Sequence, residues 1–172
     1  NMIFMSFVIG ISQGIQPVIG FNYGAKKYNR VKKTYLLALA TATFLSLIAF
    51  ACFQLFPRQI IRVFGEGSAL YYQFSERYFR IYMFFTLING IQPVTANFFN
   101  SIGKSQLGIF MSLTRQILFL LPLIVIFPIF MGIDGVMYAG PIADIAAAVV
   151  CGVFTIKELR ELSRLNSQHL NV

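Results

Sequence analysis

Two stretches of the chain share five identical residues, Gly-Ile-Gln-Pro-Val, at positions 14–18 and 90–94. Each stretch lies in a long apolar run and follows a residue with a side-chain amide, Gln13 in the first and Asn89 in the second. A proline inside a helix donates no backbone N–H, so it frees the carbonyl four residues earlier, which here belongs to Gln13 or Asn89. Unpaired polar groups are costly in lipid, and the repeat therefore predicts polar clusters that face a cavity or protein neighbours.

The amides of the two repeats form a candidate substrate pathway made of Gln13, Gln16, Asn89 and Gln92. Paired helices interrupted at corresponding positions are typical of the binding sites of membrane transporters. The alternative is that Gln16 and Gln92 satisfy the carbonyls freed by the prolines, or bond across helices. The pattern indicates solute transport and leaves the role of each amide open.

Two charged side chains, Arg115 and Asp144, lie several residues inside apolar runs. An isolated charge at that depth costs about 2.5 to 3.5 kcal/mol even on a lenient insertion scale, so each needs a partner or water. At 1.5 Å per helical residue their depths differ by roughly 6 Å, which an extended arginine can bridge. We predict that Arg115 and Asp144 form an intramembrane charge pair, with water or cavity groups as the alternative.

The remaining reactive side chains match no known catalytic or metal-binding pattern. Cys52 and Cys151 are far apart in apolar runs, which is typical of small buried thiols. The six acidic residues are scattered, His169 lies in a polar tail, and no spacing resembles a metal motif or a nucleotide-binding loop. We predict no catalytic residue, no metal site and no cofactor.

The composition is that of an integral membrane protein. Of the 172 residues, 57% are hydrophobic and 12% are charged, and the mean hydropathy is +0.70, whereas about a quarter of the residues of a soluble domain are charged. The net charge of +8 does not indicate nucleic-acid binding, because the basic residues gather in short segments between apolar runs. We expect no nucleic-acid partner.

The apolar runs predict an all-α membrane protein with five spanning helices, since each run has about the twenty residues that a bilayer core requires. The predicted spans cover residues 1–23, 35–56, 72–99, 107–130 and 135–156. The first starts without a basic flank and is expected to be truncated. Between the second and third, Pro57–Phe64 fits a helix in the membrane interface, and residues 65–68 fit a break.

The basic residues predict the orientation of these spans. Counting Lys and Arg by side places ten on one side and four on the other. Cytoplasmic loops carry the excess of positive charge, so the side with ten, which includes the C-terminal tail, is expected to be cytoplasmic. Both repeat-bearing helices then run from the outside to the inside.

A longer set of motifs resembles a known family. Residues 10–26, Gly-Ile-Ser-Gln-Gly-Ile-Gln-Pro-Val-Ile-Gly-Phe-Asn-Tyr-Gly-Ala-Lys, resemble the signature at the end of the eighth helix of the multidrug and toxic compound extrusion (MATE) family. Motifs in the order of bacterial members follow: Phe-Phe-Asn-Ser-Ile-Gly-Lys (98–104), Ser-Leu-Thr-Arg-Gln (112–116), Gly-Ile-Asp-Gly-Val (132–136) and Ala-Gly-Pro-Ile-Ala-Asp (139–144). The resemblance covers nearly the whole chain.

The resemblance implies helices eight to twelve of a twelve-helix transporter with two lobes. Residues 1–156 would be part of the C-terminal lobe, with the N-terminal lobe and the seventh helix outside this sequence. Residues 157–172 place Leu159, Leu162 and Leu165 on one apolar stripe with charges elsewhere, and we expect them to form a cytoplasmic amphipathic tail. The implied function is an antiporter that exports organic, often cationic, compounds across the bacterial plasma membrane in exchange for sodium or protons, by alternating access. The implied partners are this substrate, membrane lipids and the N-terminal lobe.

The coupling ion and two alternative functions remain to be considered. Family members place coupling carboxylates in the first helix, or in the seventh and tenth; here the tenth has Glu76 only near its outer end, so the ion site is expected outside this sequence. A related flippase for lipid-linked sugars should have several deep cations for phosphates, and only Arg115 lies deep. An integral-membrane enzyme, the less favoured alternative, would need clustered acids or histidines.

Overall fold

The computed structural model describes residues 2–64, 69–84 and 86–170, and the regular elements in these ranges are all helical. In chain order they are α1 (Met2–Gly24), α2 (Tyr28–Leu55), α3 (Pro57–Phe64), α4 (Ala69–Met83), α5 (Thr86–Asn89), α6 (Ile91–Ser101), α7 (Ser105–Leu113), a π-helical segment (Thr114–Leu120), α8 (Leu121–Met131) and α9 (Ile133–Leu170). The all-α prediction is confirmed. The predicted break at 65–68 lies outside the described residues.

Four helical runs in the described part are long and apolar enough to cross a membrane. They are Met2–Gly24, Tyr28–Leu55, Ser105–Met131 and Asp134–Gln168. These runs correspond to the first, second, fourth and fifth predicted spans, and α3 has the bounds predicted for the short amphipathic helix.

The third predicted span is interrupted. The sequence predicts one helix over 72–99, whereas the structure divides this stretch into α4, α5 and α6. The first part, α4, carries Glu76, Arg77 and Arg80 and is much more polar than the other spans. Further along, Pro93 offers no N–H to the carbonyl of Asn89, where α5 ends. The crossing is therefore assembled from short helices.

Two glycines allow close packing between helices: Gly90, just before α6, and Gly108, in α7. A Cβ built on Gly90, between α5 and α6, would lie 3.0 Å from Ser46 Oγ of α2. A Cβ on Gly108 of α7 would lie 2.8 Å from the backbone oxygen of Ala96 in α6. Small residues at such contacts are how membrane helices come near enough for dispersion and polar contacts to hold them.

The core of the bundle is built around α6. Phe98 and Phe99 of α6 are fully buried, and they belong to one cluster with Tyr35 of α2 and Met111 of α7. Many large apolar side chains are instead exposed on the outside, as Phe130 is at 81%. Such a surface suits a protein whose surroundings are lipid, because lipid tails cover apolar side chains as well as protein does.

One end of the bundle contains the loop between α1 and α2, the loop between α6 and α7, and the last turns of α9. We call it the basic end. Lys104, just before α7, contacts Glu158 of α9, and Lys32 of α2 donates to Ser163 Oγ at 3.3 Å. The cations that the sequence assigns to one side therefore lie together, except for Arg115, which is inside the bundle.

The C-terminal segment continues the last crossing. α9 extends without interruption from Ile133 to Leu170, so residues 157–170 belong to the same helix as the span before them. Leu162 is 1% exposed, which shows that this extension packs against the bundle through its apolar stripe.

Candidate functional site: polar contacts between the helices

The first repeat presents a polar spot on an exposed face of α1. Gln13 and Pro17 are exposed, as are Gly10 and Gly14 at helical spacing, and no atom of another element lies within 4 Å of a Cβ built on either glycine. Because Pro17 has no N–H, the carbonyl of Gln13 lacks its usual helical donor. This face therefore offers an amide side chain and a backbone carbonyl for hydrogen bonding.

Gln16 points into the bundle. Its Nε2 donates to Asn97 Oδ1 at 2.6 Å, and Asn97 Nδ2 in turn donates to Ser12 Oγ at 2.8 Å. Ser12 is fully buried. These three side chains join α1 to α6. Gln16 therefore bonds across helices, which the sequence left open as the alternative to a role in the substrate pathway.

Gln92, in the second repeat, bonds to the backbone of the next span. Its Nε2 donates to the carbonyl oxygens of Met111 at 2.7 Å and Ser112 at 3.2 Å. The π-helical segment begins directly afterwards and leads to Pro122, whose ring would crowd a carbonyl of the preceding turn and so favours a wider turn there. Gln92 thus anchors this helix where its hydrogen-bonding register changes.

Asp144 of α9 is the buried centre of another cluster. Arg115, in the π-helical segment, donates from Nε to Asp144 Oδ1. Asn89, with its amide nitrogen turned toward the carboxylate, donates to Asp144 Oδ2 at 2.7 Å. The side chain of Asp144 is 6% exposed and that of Arg115 is 27% exposed. The cluster joins three crossings and compensates a charge that would be costly alone at this depth.

The structure gives the candidate pathway amides different hydrogen-bond partners. Gln16 bonds to α6, Gln92 bonds to α7, and Asn89 bonds to Asp144 of α9. Gln13 is the exposed one of the four.

A further polar contact was not selected from the sequence. The hydroxyl of Tyr35, in α2, lies 3.0 Å from Thr95 Oγ1 of α6 and 3.4 Å from Thr155 Oγ1 of α9. Tyr35 is 1% exposed, so the contact is fully inside the bundle. Tyrosine and threonine are common in apolar runs, and their type alone does not distinguish them from residues that face lipid.

The polar side chains of α5 and α6 share one arrangement, which we call the polar hub: Asn89, Gln92, Thr95 and Asn97. Each bonds to a different neighbour, respectively α9, α7, α2 and α1. At 100° per residue Asn89, Gln92 and Thr95 share one side of a helix because they are three residues apart, and Asn97 points away from them. The position of Asn97 was therefore the available sequence signal, because four polar residues that face one cavity would all share a stripe.

At the basic end, Lys104 forms a tight ion pair. Its Nζ lies 2.7 Å from both carboxylate oxygens of Glu158 and 3.4 Å from Glu161 Oε2. Burial disfavours the charged lysine, but the hydrogen bonds and charge of Glu158 outweigh it, so the pKa of Lys104 lies above its ordinary value of 10.5. The pair fastens the start of α7 to the extension of α9.

Apolar crossings, an apolar exterior and polar bonds between the helices define the class: this is a multi-pass α-helical membrane protein. The family model MatE matches residues 1–126. The chain belongs to the MatE family.

Several solved structures share this fold. The MATE multidrug transporter DinF-BH, in complex with rhodamine 6G, is 36% identical with a TM-score of 0.85, over 91% of this chain and 35% of that one. A multidrug resistance MATE family transporter of the MOP superfamily matches in its outward-facing conformation at 21% identity and TM-score 0.86, over 95% of this chain and 37% of that one. A MATE family transporter of the same superfamily in its inward-facing conformation is 20% identical with a TM-score of 0.85, over 95% of this chain and 38% of that one.

The chain spans a little over a third of the length of these solved proteins. A comparison with curated proteins found no match.

Proposed function

We propose that this chain is part of the C-terminal lobe of a secondary antiporter that exports organic, often cationic, compounds in exchange for sodium or protons. A second lobe outside this sequence completes the transporter, which works by alternating access in the bacterial plasma membrane with the C-terminus in the cytoplasm. Membership in the MatE family and the similarity to a multidrug transporter in complex with a rhodamine dye support the proposal. That rhodamine dye is accordingly the first compound to test as a substrate.

The observation that carries the proposal is the polar spot on α1. Gln13 is exposed in the middle of an apolar span, and the carbonyl freed by Pro17 is its own. Lipid would leave both groups without hydrogen bonds, at a cost of several kcal/mol each by general estimates. A water-filled cavity between two lobes satisfies them, and a kinked helix facing such a cavity is a typical place for a transporter to bind its substrate.

The rest of the lobe is suited to move as a unit. Its fold matches an outward-facing and an inward-facing transporter almost equally well, with TM-scores of 0.86 and 0.85. The polar hub supports this interpretation, because bonds from one central crossing to four neighbours resist sliding of the helices. Alternating access then consists of movement of this lobe relative to the other, and Gln16, Asn89 and Gln92 contribute by keeping the lobe rigid.

The coupling ion binds outside this chain in our proposal. Inside the described part of the lobe, the buried carboxylates of Asp144 and Glu158 are each paired with a cation. A carboxylate already neutralised by Arg115 or Lys104 has little electrostatic attraction left for sodium. The pairing also supports export over lipid-linked sugar flipping, because the deep guanidinium of Arg115 is engaged by Asp144 and is not presented to a phosphate.

The proposal predicts that Gln13→Ala lowers export by the full-length protein. Loss of the amide should reduce efflux of the rhodamine dye at least threefold in a drug-sensitive bacterial strain. Membrane abundance should stay unchanged, because Gln13 is exposed and bonds to no other helix in the described part of the chain. Ser6→Ala is the matched control: Ser6 is exposed on the same face and donates only to Met2 O of its own helix. Wild-type efflux of several unrelated compounds by Gln13→Ala would show that α1 does not line the pathway.

A further inference from the structure

We infer that the basic end of the bundle is a binding surface for the headgroups of anionic phospholipids. Nine cations belong to this end: Lys26, Lys27, Arg30, Lys32, Lys33, Lys104, Lys157, Arg160 and Arg164. Its acidic residues are Glu158 and Glu161, so the net charge of these side chains is +7. These cations gather at the ends of two adjacent helices, α2 and α9, and in the loops beside them.

Most cations of this end are not neutralised by the described part of the chain. Both carboxylates are engaged by Lys104, at 2.7 Å and 3.4 Å. Seven of the other cations are exposed and make no side-chain hydrogen bond or ion pair with the described residues: Lys26, Lys27, Arg30, Lys33, Lys157, Arg160 and Arg164. Within the described residues they therefore have no counter-charge, and solvent ions or an anionic surface must supply it.

The start of α2 and the loop before it carry four of these seven cations: Lys26, Lys27, Arg30 and Lys33. Lys27 precedes the first residue of α2, Arg30 and Lys33 follow within two turns, and the first turn has no acidic residue. The N-terminus of a helix already bears a partial positive charge, so these cations destabilise the helix unless an anion lies against them. A phosphate-bearing headgroup supplies that anion.

A polar cleft beside these cations has the chemistry to hold such a headgroup. It lies between the start of α2 and the end of α9 and has a volume of about 240 Å³. Lys32, Asn29, Ser163 and Asn166 are in its lining, which combines one charge with amide and hydroxyl donors. Basic pockets between membrane helices at this level are known binding sites for lipid headgroups.

The position of the basic end favours a lipid as its ligand. The cations begin directly after the apolar run of α1 ends at Gly24 and again after Ile156 in α9. They therefore lie at headgroup depth, within about one Debye length of the bilayer surface. This inference does not depend on the proposed transport activity, since it requires only that the helices span a membrane.

The test measures lipid preference around the full-length protein in nanodiscs that contain equal amounts of phosphatidylcholine and phosphatidylglycerol. Lipids bound to the released protein are counted by native mass spectrometry. One basic side chain near an anionic surface contributes about 1 kcal/mol, or about fivefold. The triple variant Lys27→Gln, Arg30→Gln and Lys33→Gln should lower the preference for phosphatidylglycerol at least tenfold.

A second triple variant serves as the matched control: Arg62→Gln, Arg77→Gln and Arg80→Gln. It removes three exposed cations from the opposite end and should change the preference less than twofold. Raising NaCl from 0.1 to 0.5 M should weaken the wild-type preference. The inference fails if the first variant keeps the wild-type preference, if salt has no effect, or if 10 mM inorganic phosphate displaces the lipid, which would identify a soluble anion as the ligand.

Discussion

The carboxylate of Asp144 depends on two other side chains for its place in the middle of a crossing. Arg115 contributes a charge and Asn89 an amide donor, and they come from separate crossings. Removing either partner of a buried ion pair leaves the other charge uncompensated, and this usually costs more than the pair itself contributes. The cluster therefore serves to position helices relative to one another as much as to stabilise them.

We predict that Arg115→Ala and Asp144→Ala each lower the free energy of unfolding by about 3 to 5 kcal/mol. The double variant should recover part of this loss, because it leaves no unpaired charge. Unfolding of the purified full-length protein in detergent would measure all three. Arg164→Ala, which removes an exposed arginine at the basic end, should change stability by less than about 0.5 kcal/mol. Losses that simply add in the double variant would rule out a direct energetic coupling.

Single residues differ in how far their environment can be predicted from sequence. The contact between Arg115 and Asp144 follows from depth counting, since consecutive antiparallel spans are neighbours and both charges need compensation. The partners of Gln16 and Gln92 do not follow, because they depend on how each helix is rotated about its axis. Nothing in the repeated Gly-Ile-Gln-Pro-Val sequence indicates that its first copy has an exposed face and that its second lies inside.

At the scale of elements, the contact between α6 and α7 requires a residue without a side chain. The Cβ that Ala would add at Gly108 meets Asn100 Oδ1, which can turn away, but also the backbone oxygen of Ala96 at 2.8 Å, which cannot. The two helices must move apart if this position is filled. Gln92, which bonds to Met111 and Ser112 across the same contact, would then lose its partners.

Gly108→Ala should therefore destabilise the protein by about 1 to 3 kcal/mol, the usual cost of overpacking. Gly152→Ala is the control, because no atom of another element lies within 4 Å of a Cβ at Gly152; there the higher helix propensity of alanine should leave stability equal or up to about 1 kcal/mol greater. Thermal unfolding of the two variants in the same detergent makes the comparison. Equal stability would show that α6 and α7 are less closely packed than described.

The elements themselves show where sequence patterns succeed. Apolar runs of about twenty residues predict the first, second, fourth and fifth crossings, because length and hydropathy are properties of each run alone. Pro93 indicates the interruption of the third crossing near Asn89, but the close packing of Gly90 against Ser46 of α2 depends on the neighbouring helix, which no single run reveals. The uninterrupted course of α9 beyond Ile156 likewise depends on Leu162 finding a buried place on the bundle.

At the scale of the whole molecule, the lobe has a rigid interior and two surfaces with different roles in our account. The polar hub joins four neighbouring elements to one central crossing. The exposed face of α1 with Gln13 is proposed to line the substrate pathway, and the basic end to hold anionic headgroups. A substrate that binds at the first surface can be moved by displacement of the lobe as a unit, without any rearrangement of the hub.

Gradient-driven transport by the reconstituted full-length protein tests this account most directly. Proteoliposomes loaded with the rhodamine dye would be diluted into buffers that impose an opposing sodium or proton gradient, and release of the dye would be followed by fluorescence. We expect release to begin when one of the gradients is imposed, to stop when an ionophore collapses it, to proceed without ATP, and to fall at least threefold in Gln13→Ala but not in Ser6→Ala. Folded protein that moves the dye under neither gradient, or only when ATP is supplied, would contradict the account.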